Sequence, residues 1–164
     1  ATTGELAMLR RMKYTTSPDA LLLGDPIAGA AYSEMIGGRK AVFPQLNTAN
    51  KDVASQKILI QRFHDIATDP EVCEVVRNLG ITHFYEEEDG SYYNIQRSNR
   101  HPGLYGVDTS RGFELVDEGG TAKLWKITAC GWVTPGGGAQ AFADGIRSVQ
   151  PGAEEPEGPQ SGDE

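Results

Sequence analysis

The sequence predicts an α/β protein, a three-layer sandwich on a mainly parallel sheet with an antiparallel hairpin at its C-terminal end. Three observations predict it. Short continuous apolar runs, the pattern of strands covered on both faces, alternate with segments of helical period. Helix start and stop signals separate them, and the last two extended runs are joined by Glu118-Gly119-Gly120, as in a hairpin. The order strand, helix, strand, helix pair, strand, hairpin is that of a βαβαβ unit with right-handed crossovers. The expected parallel order puts the first strand in the centre, flanked by the second and third, as in flavodoxin-like sheets.

Taken in order, Leu6, Leu9 and Met12 recur at helical spacing and mark a lead-in helix over Glu5 to Lys13, ended by Ser17-Pro18-Asp19. Ala20 to Leu23 is the first core strand. Gly24-Asp25-Pro26 then places a capping carboxylate before a proline whose missing N–H costs nothing in a first helical turn, which predicts a helix from Pro26 to Ile36, stopped by Gly37-Gly38. Lys40 to Phe43 makes the second strand. Leu59, Ile60, Phe63, Ile66 and Ala67 mark one face of a helix between Lys51 and Ala67. Asp69-Pro70-Glu71 restarts it, with Val72, Val75, Val76 and Leu79 inward and Gly80 as the stop. Ile81 to Tyr85 is the third strand. Phe113 to Val116 and Ala122 to Ile127 form the hairpin.

The chain of 164 residues supplies one ordinary core, and a second is excluded by size. The expected organisation is one domain over residues 1–131, a Gly/Pro-rich linker over 132–149 and an acidic tail over 150–164. That tail contains only Gln, Pro, Gly, Ala, Glu, Ser and Asp, too little apolar surface to order itself. With 15 basic and 23 acidic residues the formal net charge is −8, which repels phosphate backbones and excludes nucleic acid as the expected partner. No run of about 18 apolar residues and no basic stretch before an apolar core occurs, so the sequence holds neither a spanning helix nor a signal peptide. The opening Ala1-Thr2-Thr3, without methionine, reads as the start of an excised domain with a membrane or targeting segment upstream.

The chemistry-bearing residues are few. Asp25, at the carboxyl end of the first strand, is either a functional acid or a helix cap, and the neat Pro26 favours the cap. Neither G-x-G-x-x-G nor a P-loop nor a G-x-S-x-G elbow is present, so no dinucleotide, nucleotide or serine-hydrolase reading survives, and no cofactor is expected. His64, His83 and His101 have no metal-ligand spacing. Glu86 to Asp89 reads as a solvated charge run, because consecutive residues of an extended chain point in alternate directions. No metal site is expected there. Cys73 and Cys130 are read from composition as either one bridge or two quiet thiols.

From Gly90 to Gly112 the sequence shows no period, and a loop this long inside a compact domain is functional or mobile. Tyr92, Tyr93, Asn94, Gln96, Arg97, Asn99, Arg100, His101 and Tyr105 combine flat aromatic surfaces with planar hydrogen-bonding groups. The candidate ligand-binding residues are Tyr92, Tyr93, Arg97, Asn99, Arg100, His101 and Tyr105. The plainer reading is a surface loop whose tyrosines pack on the sheet.

The runs DALLLGDPIAGAAYSEMIGGRKAVFPQL, DPEVCEVVRNLGITHFYEE and GFELVDEGGTAKLWKITACG carry a strand ending in Asp-Pro, a third strand after a cysteine-bearing helix, and a closing hairpin ending in cysteine. From Leu21 to about Gly131 this resembles the soluble C-terminal, extracytoplasmic domain of polytopic actinobacterial membrane proteins that look like multi-pass glycosyltransferases using lipid-linked sugars. The resemblance implies an α/β fold, a Cys73–Cys130 bridge, and a non-catalytic accessory domain at the outer face of the cell membrane. The catalytic carboxylate of such enzymes lies between membrane helices that this sequence lacks. The implied partners are a cell-envelope glycan or a polyprenyl-phosphate sugar, with the membrane reached through upstream helices. The competing expectation is a freestanding small hydrolase using strand-end acids such as Asp25 and Glu86.

Overall fold

A computed structural model of the chain describes residues 1–43 and 53–137. The acidic tail over 150–164, most of the expected linker and the segment containing Pro44 lie outside the described residues. Seven strands and four α-helices occur among those described: α1 Thr3–Thr15, β1 Leu21–Gly24, β2 Lys40–Ala41, α2 Ala54–Arg62, α3 Pro70–Leu79, β3 His83–Glu86, β4 Ser91–Tyr92, β5 Ile95–Gln96, α4 Arg97–Arg100, β6 Phe113–Gly119 and β7 Ala122–Ile127. Five strands form one sheet in the order β2-β1-β3-β7-β6, and β4 and β5 form a separate small hairpin. β1 is parallel to β2 and β3, while β7 is antiparallel to β3 and β6. The central first strand flanked by the second and third is as the sequence predicts.

Alternation along β1 sorts its side chains to two cores. Leu21 and Leu23 join Leu59, Phe63, Val72, Val76 and Phe84 under α2 and α3. Leu22 joins Met8, Leu9, Met12, Tyr85 and Leu124 under α1. The sheet is thereby covered on both faces, which makes three layers. α3 has the capping the sequence announces: Asp69 accepts from the Glu71 N–H at 3.1 Å, and Gly80 closes the helix at φ 73°. Gly80 also has no room for a side chain, because a Cβ there would lie 1.7 Å from the Gly137 nitrogen.

Three local expectations change. The helix expected over Pro26 to Ile36 is a single 3₁₀ turn, Gly29–Tyr32, followed by turns. The cap fails because the Asp25 carboxylate bonds the Ile27 N–H two residues on, an Asx turn, and otherwise points inward. The buried stripe of α1 runs through Glu5, Met8, Leu9 and Met12 and so includes a carboxylate that periodicity of apolar residues passes over. The start of the expected linker belongs to the fold, since Val133 packs on the core and the Gly136 N–H donates to Gly80 O at 2.9 Å.

Cys73 on α3 and Cys130 after β7 are disulfide-bonded, with Cα atoms 5.2 Å apart and a sequence separation of 57. Closing a loop of this length restricts the unfolded chain, so replacing both cysteines by alanine is expected to cost roughly 4 kcal/mol. Urea unfolding of the two forms measures it, and equal midpoints would show that the bridge adds nothing to the fold.

Candidate functional site

The carboxyl end of β3 and the adjoining start of β7 open onto a cleft of ≈ 590 Å³. Its walls come from Glu86 to Asp89 at the end of β3, from Ser98, Pro102, Tyr105 and Gly106 in the long loop, and from His64, Thr121 and Lys123. Open α/β sheets form crevices at this edge because the loops there diverge from the strand ends.

Behind the cleft lies a buried polar cluster. Asp25 is 3% exposed, and both of its carboxylate oxygens are engaged: Oδ1 accepts from the Ile27 N–H at 2.9 Å and from His101 Nδ1 at 2.9 Å, and Oδ2 accepts from the Tyr105 hydroxyl. Burial alone would raise this carboxyl, but the bonds from His101, Tyr105 and Ile27 outweigh it and hold it below its usual range. Tyr105 is pushed the other way, by burial and then by the Asp25 carboxylate, so its phenol stays protonated as the donor. Asp25 is thus neither a helix cap nor an available acid. It anchors the loop.

A second cluster joins α1 to the sheet. Glu5 Oε1 accepts from the Tyr85 hydroxyl at 2.6 Å, and a Cβ on Gly29 would lie 1.6 Å from that same oxygen, so any larger residue there would displace the Glu5 carboxylate from this bond. Glu87 faces Glu5. Burial raises the Glu87 carboxyl to about 8, and the adjacent Glu5 adds to the effect. On Glu5 burial also acts upwards, yet the bonds from Glu87, Tyr85 and Thr2 prevail and lower it. Two carboxyl groups in contact away from water hold one proton between them, and here Glu87 carries it.

The acidic run is a solvated stretch only at Glu88 and Asp89, which are exposed, while Glu86 and Glu87 are half-buried and engaged. Glu86 Oε1 accepts from Trp125 Nε1 at 2.8 Å, Glu87 meets Glu5, the Glu88 carbonyl accepts from Arg97 Nη2 at 2.5 Å, and Asp89 accepts from the backbone N–H groups of Gly90 and Ser98. Asp89 is drawn down to about 2 chiefly by the Ser98 hydroxyl.

The seven candidate loop residues do not share one surface. Tyr92 and Tyr93 flank the β4–β5 turn, their rings edge to face at 4.7 Å, with Tyr93 and Asn94 at φ 50° and 64°. Both left-handed residues together make the tight turn that the aperiodic reading misses; the Asn is its only sequence signal. Arg97 turns inward to Glu88, and Asn99 and Arg100 are exposed on α4 away from the cleft lining. His101 is 1% exposed and faces Asp25, so its ring is structural. Of the seven, Tyr105 alone lines the cleft. Ser98 and Lys123, which sequence reasoning does not single out, are brought there by the loop and the sheet, beside Glu87 of the acidic run. No group of His, Cys, Asp and Glu suited to a metal ion occurs among the described residues.

Residues 1–129 match the model of a family of unknown function, DUF6541, and the chain belongs to that family. Comparison with curated proteins returns no match, and neither does comparison with solved structures.

The shared proton sets a pH dependence. Unfolded, Glu87 releases its proton near the ordinary 4.5; folded, near 8, so its contribution is fully present below about 4.5 and lost as the pH rises through about 8. Stability should fall by on the order of 1 kcal/mol between about pH 7 and 9, read as a lower urea midpoint. Glu87→Gln, an uncharged donor to Glu5, should flatten that fall; an undiminished slope in this variant would place the titration elsewhere.

At the other cluster, Tyr105→Phe leaves an Asp25 oxygen without its donor inside the fold and should cost about 1–3 kcal/mol. Thermal melts at neutral pH check it. A variant as stable as the parent would show that the loop is anchored by other contacts.

Proposed function

We propose that this member of the family is a non-catalytic, extracytoplasmic accessory domain of a larger membrane protein of cell-envelope glycan assembly, holding a neutral glycan in the carboxyl-edge cleft. The observation that carries this reading is the chemistry of the cleft wall. Carboxylates and the Asp89–Ser98 pair give it many hydrogen-bond acceptors, and Lys123 gives it an ammonium donor. Sugar hydroxyls are donors and acceptors at once and suit such a wall. An anionic ligand does not, because Glu86, Glu88 and Asp89 would repel it and Arg97 is turned to the Glu88 carbonyl. Between the two ligand classes under consideration, the wall therefore favours a neutral glycan over a polyprenyl-phosphate head.

The Cys73–Cys130 bridge supports the compartment, since disulfides persist where the surroundings are oxidising. No helix among the described residues is long and apolar enough to cross a membrane, so the proposal assigns anchoring to segments outside them. Asp25 and Glu86, the acids that a hydrolase would use, are both engaged in structural bonds.

The test is amide-shift mapping of isotope-labelled protein with neutral mannan and arabinan oligosaccharides and, separately, a sugar phosphate. Expected are shifts at residues 86–89, 98, 102–106 and 123 with the neutral sugars alone, and binding about tenfold weaker, ~1.4 kcal/mol, in Lys123→Ala. Silence of these amides at millimolar sugar overturns the reading. A response to the sugar phosphate alone replaces the ligand class.

A further inference from the structure

A second concave site lies at the opposite edge of the sheet. It is a groove of ≈ 470 Å³ between the amino ends of β1 and β3 and the end of β7, within the range of about 300–1,000 Å³ typical of small-molecule sites. Ala20, Ile127 and Val133 give it apolar lining, while Asp19, Lys126 and Thr128 add polar groups. Trp132 lines it too, yet is 82% exposed.

Of the most exposed large side chains among the described residues, Tyr14, Met35, Tyr93 and Trp132, the tryptophan is the one that lines this groove. Its backbone is held on both sides. The Gly131 N–H donates to Thr128 O at 3.2 Å, Cys130 is tied by the disulfide to α3, and its carbonyl accepts from Arg77 Nη1 at 3.2 Å. Beyond the tryptophan, the Gly136 N–H is bound to Gly80 O at 2.9 Å. The segment carrying Trp132 is thus a short strap pinned on both sides, so the backbone that presents the indole to the groove is held before any ligand arrives. Preorganisation of this kind removes part of the ordering cost of binding.

We propose that this groove is a second saccharide-binding site, in which the indole of Trp132 stacks on the apolar C–H face of a sugar ring while Asp19, Lys126 and Thr128 bond its hydroxyls. One carboxylate and one ammonium nearly cancel, so the groove selects an uncharged polyol over a phosphate or an amine. The apolar lining accommodates the ring carbons that a purely polar pocket would leave without contacts. The site is separate from the carboxyl-edge cleft, and the two assignments stand independently.

The experiment uses the full 164-residue chain. Labelled protein is titrated with neutral mannan and arabinan oligosaccharides while amide shifts and iodide quenching of tryptophan are followed. Trp125 is half-buried and bonded to Glu86, so quenching reads mainly Trp132. Expected are shifts at residues 17–20, 126–128 and 131–133, protection from iodide, at least a tenfold loss of affinity in Trp132→Ala, and partial recovery in Trp132→Phe. Because the side chain is exposed, the alanine variant should melt with the parent. Silence of these amides, or undiminished binding by Trp132→Ala, overturns the proposal. Association with phosphatidylglycerol vesicles that depends on Trp132, without any oligosaccharide response, also overturns it and makes the strap a lipid contact. The carboxyl-edge reading is scored on residues 86–89, 98, 102–106 and 123, so either site can fail while the other stands.

Discussion

The carboxylate of Asp25 sits directly after β1, an interior strand of the sheet, where burying a charge without partners would be prohibitive. Three donors answer it, and each fixes a different piece of chain. The Ile27 N–H turns the backbone directly after β1, so the segment that reads as a helix becomes a 3₁₀ turn. His101 and Tyr105 arrive from 76 and 80 residues away and bring the long loop down against the strand ends. Tyr105 then forms part of the cleft wall. The cleft, the absence of the expected helix and the order of the loop all follow from satisfying one buried charge.

The Glu5–Glu87 pair applies the same constraint to the opposite layer. A carboxylate on the inner face of α1 is tolerable only because Tyr85 donates to it and Glu87 retains a proton. Gly29 leaves the space for the Glu5 carboxylate, so a residue expected within a helix serves here as the floor of a polar cluster. Buried polar networks are costly when half satisfied and specific when complete. These two register α1 and the loop against the same strand ends and keep the carboxyl edge of the sheet rigid.

The two edges are held by different means. Hydrogen-bonded acids organise the carboxyl edge, and a covalent bridge with backbone bonds organises the amino edge, where the Trp132 strap is anchored. Both leave a concave surface whose backbone is tied to the scaffold, which is the arrangement that recognition without large rearrangement requires.

The sequence by itself determined the elements whose signals are local. Apolar runs give β1 and β3, Asp69, Pro70 and Gly80 bound α3, and two extended runs about a Gly-Gly turn give β6 and β7. The order of the parallel strands, with β1 between β2 and β3, agrees with the flavodoxin-like pattern, but the handedness rule alone allows other orders and the sheet itself decides it. Tertiary structure alone decided what depends on partners far along the chain. Asp25 has the sequence of a helix cap, and only residues 76 and 80 positions later turn it into a loop anchor. Glu5 looks solvent-facing on an amphipathic helix until Tyr85 and Glu87 are placed beneath it. His101 and Tyr105, alike in the sequence as loop residues, part company because one is sealed in the interior and the other reaches the cleft. Short-range patterns report backbone conformation and burial, whereas the partner of a charged side chain is chosen by the sheet order that brings distant segments together.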